Sequence, residues 1–256
     1  MDITLFDALL LIVAGLFAGF INTLAGSGSL ITLPLLMFLG LSPHQANATN
    51  RVAIFFQTLV AVRNFEKQKT LDIKQNLSLV IPALIGSAVG ATLAININEE
   101  LLNAFIGGLL FVMFFVILFK PERWVKEQAG SVDAKPTFWR IIIFFGIGLY
   151  GGFIQAGVGF FLLAGLVLGV GYDLIRANAV KVLIVFCYTA LALGIFMWSG
   201  QVNYLFGIVL AIGNASGAYI ASRYSKQIGT KYIRYILLVA VMLAALKVLG
   251  VFELLF

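Results

Sequence analysis

The chain of 256 residues is 61% apolar and only 11% charged, with a mean hydropathy of +1.04. Ordinary soluble domains carry about 25% charged residues, so a soluble globular protein is excluded and an all-α polytopic membrane protein is expected. The formal charge of +6 does not mark a nucleic-acid surface, because the basic residues gather in loops beside apolar runs, where they set membrane orientation.

Ten apolar segments follow one another, at 5–22, 29–40, 48–65, 76–96 and 101–119, then at 139–155, 160–171, 179–198, 203–222 and 232–250. Before the first, Asp2 and Asp7 stand where a cleavable signal peptide would need basic residues, so none is expected. A spanning helix takes about 20 residues at about 1.5 Å each. The segments 29–40 and 160–171 hold only about 12 residues and cover roughly 18 Å of a hydrocarbon core about 30 Å thick.

The join between the first two segments reads "GFINTLAGSGSL" from Gly19. Irregular backbone is tolerated at membrane depth only where protein buries it or water reaches it. The first segment is therefore expected to break across Asn22 to Gly28, and the second to return as a half-helix from Ser29. The free amides and positive dipole end of such a half-helix favour an anion. Gly26 and Gly28 would let the backbone approach the ligand, while Ser27, Ser29 and Asn22 would offer polar groups. Gln155, Gly157 and Gly159, before the second short segment, would face them.

Arg63, Lys67, Lys69 and Lys74 fall in one loop, Lys120, Arg123, Lys126, Lys135 and Arg140 in a second, and Arg223, Lys226, Lys231 and Arg234 in a third. These loops are expected to be cytoplasmic and both termini to face outward. The middle loop, "KPERWVKEQAGSVDAKP", separates a first repeat at 1–119 from a second at 138–256, with a cytoplasmic linker at 120–137. "GFIN" at Gly19 returns as "GFIQ" at Gly152, "AGSG" at Ala25 as "AGVG" at Ala156, "QANATN" at Gln45 as "RANAVK" at Arg176, and "GSAVGA" at Gly86 as "GNASGA" at Gly213. Four matches in one order indicate an internal repeat. With five segments in each half, the second copy enters the membrane inverted, the plan of secondary transporters. Gly15 and Gly19, Gly86 and Gly90, Gly148 and Gly152, and Gly213 and Gly217 have the G-x-x-x-G spacing that lets helices approach closely.

Arg51 and Lys181 sit at nearly matching places, just after the repeated pairs Asn47-Ala48 and Asn178-Ala179. An arginine near the bilayer centre costs roughly 2.5 kcal/mol or more and should face a cavity or a partner. Arg51 divides between an anion ligand and a helix-end snorkel, and Lys181 between a ligand and an orientation anchor. Asn47, Thr49, Asn50 and Asn178 divide between cavity groups and hydrogen bonds across helices. Lys247 reads as interfacial and Cys187 as a packed core thiol. No carboxylate falls clearly inside a segment, which disfavours a proton or sodium relay. His44 is expected in a loop without metal-ligating neighbours. Neither a P-loop nor a dinucleotide fingerprint is present, so no cofactor is expected, and no nucleophile set for an enzyme stands out.

The stretch "GFINTLAGSGSLITLPLLMFLGLSPHQANATNRVA" resembles the first-repeat signature of the TauE/SafE sulfite exporter family, with Gly19, Gly26, Gly28, Pro34, Pro43, Ala48, Thr49 and Asn50 on family positions. "GGFIQAGVGFFLLAGLVLGVGYDLIRANAVKVL" resembles the second more loosely, and the likeness covers essentially the whole chain. It implies a bacterial inner-membrane transporter that exports, or as in some members takes up, sulfite or organosulfonates without ATP, and of the two directions export is the one expected. Two positions depart from it. Members often carry aspartate where this chain has Asn22 and Gln155, and Gly165 stands where the second repeat would match Pro34, so that half-helix is expected to bend differently. The expected partners are a small anion and the lipid bilayer, and a homo-oligomer is compatible with the composition. A non-transporting membrane scaffold is the alternative, and it would need no polar cavity.

Overall fold

The computed structural model describes residues 3–118 and 137–225, which form helices and no strand. The helices are α1 (Leu5–Ala25), α2 (Ser29–Phe38), α3 (Pro43–Lys67), α4 (Ile73–Asn96), α5 (Glu99–Leu118), α6 (Phe138–Phe153), α7 (Val158–Ala164), α8 (Leu174–Trp198) and α9 (Tyr204–Tyr224). The segment expected at 232–250, Lys247, most of the linker at 120–137 and much of the third basic loop lie outside the described residues.

Helix starts are set by side-chain caps. Thr4 with Asp7, and Ser42 with Gln45, form capping boxes at α1 and α3, while Asp72, Asp173 and Asn203 cap α4, α8 and α9. These caps correct several expected boundaries. α3 begins at Pro43 and α8 at Leu174, ahead of the apolar runs, because their first turns are polar and are held by caps. His44 therefore lies in the first turn of α3, not in a loop, with Nε2 3.0 Å from the Ile97 carbonyl oxygen. α1 likewise runs on to Ala25, and Gly26, with φ of 78°, ends it in the left-handed conformation that glycine adopts without strain. Asn22 and Thr23 thus belong to the last helical turn, and the break shrinks to Gly26, Ser27 and Gly28.

α1, α4, α8 and α9 are long and apolar enough to cross a membrane, and α2, α6 and α7 are shorter apolar helices. α3 has 25 residues but carries Asn47, Asn50, Arg51, Gln57 and Thr58. Those side chains are buried because α3 packs against both α8 and α9. α1 packs along α9 and α4 along α6. The spaced glycines make those contacts: a Cβ on Gly19 would collide with the Asn214 backbone, one on Gly217 with Leu16, one on Gly90 with Leu149, and one on Gly152 with Ser87. Phe17, Ile85, Phe111, Ile143 and Ile212 are exposed on the outside of the bundle, as a lipid-facing surface requires.

The two short arms differ. α2 stays α-helical through Pro34, whereas α7 passes at Gly165 into a π-helical run, Gly165–Val170. At Gly165, where a different bend is expected, the second arm changes its winding.

Candidate functional site

The two helix breaks touch. The Gly159 amide donates to the Gly26 carbonyl at 3.1 Å, and a Cβ on either glycine would collide with the backbone of the other. Only paired glycines permit this approach. Gly157, with φ of 75°, turns the chain into α7 and faces the Met113 side chain.

Around this contact lies a cavity lined by Asn22, Gly26, Gln57, Thr58, Gln155, Val158, Gly159, Lys181, Val182 and Val185. It offers ≈ 10 Å³ to the centre of a water-sized sphere, about the least that holds one water. No carboxylate lines it among the described residues. The described acids sit at helix ends instead: Asp7, Glu66, Asp72, Glu99, Glu100 and Asp173. No group of acids, histidines or cysteines among the described residues could hold a metal ion.

Two cations clasp the broken helices, each reaching from the other half of the chain. Arg51 of α3 grips the end of α6, with Nη1 donating to the Gly151 carbonyl at 3.0 Å and Nη2 to the Gly152 carbonyl at 2.6 Å. Nη1 also donates to Gln155 Oε1 at 3.2 Å, Nη2 to Asn47 Oδ1 at 3.4 Å, and the Phe196 ring covers the guanidinium at 4.7 Å. Asn47 completes the grip, its Nδ2 donating to the Phe153 carbonyl at 2.8 Å. Lys181 of α8 holds the end of α1: Nζ donates to the Asn22 and Thr23 carbonyls at 3.2 and 3.0 Å and to Asn178 Oδ1 at 2.5 Å. In both, a positive charge meets the last carbonyls of a helix, where the dipole favours it.

The expected site residues therefore divide. Asn22, Gly26, Gln155, Gly159 and Lys181 line the cavity. Arg51, Asn47 and Asn178 stand behind it as clasp residues. Gly28 donates its amide to Asn22 Oδ1 at 3.3 Å, and Ser27 and Ser29 are buried with hydroxyls that have no partner. Thr49 and Asn50 point elsewhere: Thr49 Oγ1 accepts from the Asn203 amide at the start of α9, and Asn50 Oδ1 accepts from Thr32 at 2.6 Å. Gln57, Thr58, Thr189 and Asn214 belong to the polar centre and were not singled out from the sequence. Gln57 Oε1 accepts from Asn22 and Asn214, both at 3.2 Å, and Gln155 Nε2 donates to Thr189 at 3.0 Å. The matches at "QANATN" and "GNASGA" pointed at their helices; a polar side chain deep in an apolar run was the further signal.

A second, open cavity of ≈ 870 Å³ lies at the α3–α4 turn, lined by residues that include Lys69, Asp72, Lys74, Asp173 and Arg176. Beside it Tyr172 donates to Asn76 at 2.9 Å, and burial raises its phenol pKa above the usual value, which keeps it a donor.

Residues 11–248 match the family described as sulfite exporter TauE/SafE. The chain belongs to that family. Among TauE/SafE relatives it is similar to the probable membrane transporter protein ORF9 of a Sinorhizobium species, 28% identical over 240 residues that cover 94% of this chain and 91% of the relative. The probable membrane transporter protein YfcA of Escherichia coli strain K12 is 26% identical over 234 residues, 91% of this chain and 86% of its own. A probable membrane transporter protein of Haemophilus influenzae is 25% identical over 234 residues, covering 91% of both chains. No solved structure matches significantly. This member of a membrane transporter family thus carries a small cavity, lined by both polar and apolar residues, where its two chain breaks meet.

Proposed function

We propose that the protein is a secondary transporter of small sulfur-containing anions such as sulfite or organosulfonates, exporting them by alternating access of two inverted repeats, 1–119 and 138–256. The observation that carries this reading is the cavity between the helix breaks, which is lined by Lys181 and by no carboxylate among the described residues. The family name supports the substrate class.

Exchange of contacts between the halves supports the inverted repeat. α1 of the first half packs on α9 of the second, as α6 of the second packs on α4 of the first. Arg51 and Lys181 repeat the exchange across the broken ends. On this plan the termini face outward, the linker is cytoplasmic in a bacterial inner membrane, and the ≈ 870 Å³ cavity opens inward. The small central cavity then belongs to a closed conformation between the two access states. A monoanion leaving a cell that is negative inside gains about 2.3 kcal/mol per 100 mV, so export requires no coupling ion. A scaffold would need no such polar centre.

Proteoliposomes holding the purified protein should release sulfite or a small sulfonate at a rate that rises with an inside-negative potential, and Lys181→Met should slow that release at least about tenfold. Absence of flux for every small anion tested, from protein that is monodisperse in detergent, would remove the reading.

A further inference from the structure

The hydrogen-bond chains around the cavity have a fixed polarity, and that polarity assigns a residue to the anion. A backbone amide can only donate. The Gly28 amide therefore turns Asn22 Oδ1 toward itself, and the Asn22 amide group must be the donor on its other side. That donor faces Gln57, so Gln57 presents Oε1 there, where it also receives Asn214 Nδ2. Gln57 Nε2 is left as a donor with no partner among the described residues, on a side chain that lines the cavity.

A second chain runs the same way. A guanidinium can only donate, so Arg51 fixes Gln155 Oε1 as the acceptor and directs Gln155 Nε2 onto Thr189. Thr58, also in the lining, spends its hydroxyl proton on the Ile54 and Phe55 carbonyls. Asn214 gives the arrangement a visible cost: its Oδ1 is buried without a partner while its Nδ2 is kept on Gln57. An oxygen orphaned to hold a neighbour's orientation needs a reason beyond packing.

We propose that Gln57 is a substrate-binding residue, its Nε2 donating to the anion in the field of the Lys181 ammonium, whose three protons are held by Asn22, Thr23 and Asn178, with Asn22 and Asn214 as positioning residues that keep Gln57 Oε1 turned away from the ligand. The inference rests on the anion-transport reading and sharpens it. The ligand it fits is a compact oxyanion that accepts from Gln57 Nε2, is attracted by the Lys181 charge and brings no proton donors of its own. Gln57 and Lys181 come from α3 and α8, in different halves of the chain, so one anion bridges both.

The test measures sulfite flux from proteoliposomes and, on the same preparations in detergent, sulfite binding by calorimetry and the thermal midpoint. Gln57→Leu should raise the half-saturating sulfite concentration about tenfold with little change in maximal flux, and Gln57→Glu should raise it further, because a carboxylate repels the ligand. Asn214→Leu removes both the positioning donor and the orphaned oxygen. It should raise half-saturation about threefold while leaving the thermal midpoint equal or higher, which a purely structural role would not do. If the wild type carries sulfite and the Gln57 variants match it in half-saturation and binding, the inference falls and the transport reading stands. Sulfite binding that Gln57→Leu weakens, without flux in the wild type, would keep the inference and retire transport. Neither binding nor flux for sulfite or a small sulfonate would overturn both.

Discussion

Arg51 and Lys181 occupy nearly the same place in the two halves and do the same local job, yet one is sealed and the other borders the cavity. Arg51 is wrapped by the Gly151 and Gly152 carbonyls, Gln155, Asn47 and the Phe196 ring, and does not line the cavity. Lys181 spends its three protons on the Asn22 and Thr23 carbonyls and Asn178 Oδ1 and is part of the lining, while Arg51 keeps its Nε without a partner. A guanidinium is planar with five donors, suited to gripping several carbonyls at once, whereas an ammonium is a compact point charge on a flexible stem. Both side chains secure a helix end, and the difference lies in place: on the transport reading proposed above, the arginine stands behind the cavity and the lysine sets its charge in the cavity lining.

Substitutions can break or sharpen that contrast. The largest effect is expected at the contact between the two breaks: Gly26→Ala sets a Cβ into the Gly159 backbone at a left-handed φ of 78°. It should abolish flux and lower the thermal midpoint in detergent by more than about 5 °C. Next comes Arg51→Met, which strands the Gly151 and Gly152 carbonyls; a stability loss of about 3 kcal/mol is expected, with sulfite affinity almost unchanged in protein that still folds. Lys181→Met, which strands the Asn22 and Thr23 carbonyls, should lose about as much stability but also at least about tenfold in affinity, read from binding and unfolding side by side. Equal effects of the two substitutions on affinity would erase the distinction. Thr49→Val, which removes the acceptor for the Asn203 amide, should cost about 1 kcal/mol with no change in flux.

Much of this was legible from residue order, for identifiable reasons. The two short segments and "AGSGS" revealed the break, since glycine and serine between apolar runs have few other uses at membrane depth. The spaced glycines marked the faces of close approach, because such contact leaves little room for a side chain, but not which helices pair there. Arg51 and Lys181 stood out as buried charge, but what they hold was hidden: their partners are backbone carbonyls roughly a hundred or more positions away, and every residue has a carbonyl. Gln57 and Asn214 were missed because a single amide in an apolar helix has no periodicity to announce it. Thr49 and Asn50 had the right composition and the wrong face, turned to α9 and to Thr32. The first turns of α3 and α8 escaped a hydropathy reading because side-chain caps, not apolar residues, stabilise them.

The joint between Gly159 N–H and Gly26 C=O is made of main chain on both sides. Genetic substitution with ordinary side chains, proline apart, cannot delete such a bond; it can only crowd it. Chemical synthesis can, since an ester in place of the amide at position 159 removes the proton and adds almost no bulk. Such a backbone edit would remove one bond between the two arms while leaving every side chain in place, so the worth of the joint could be read apart from that of the side chains around it.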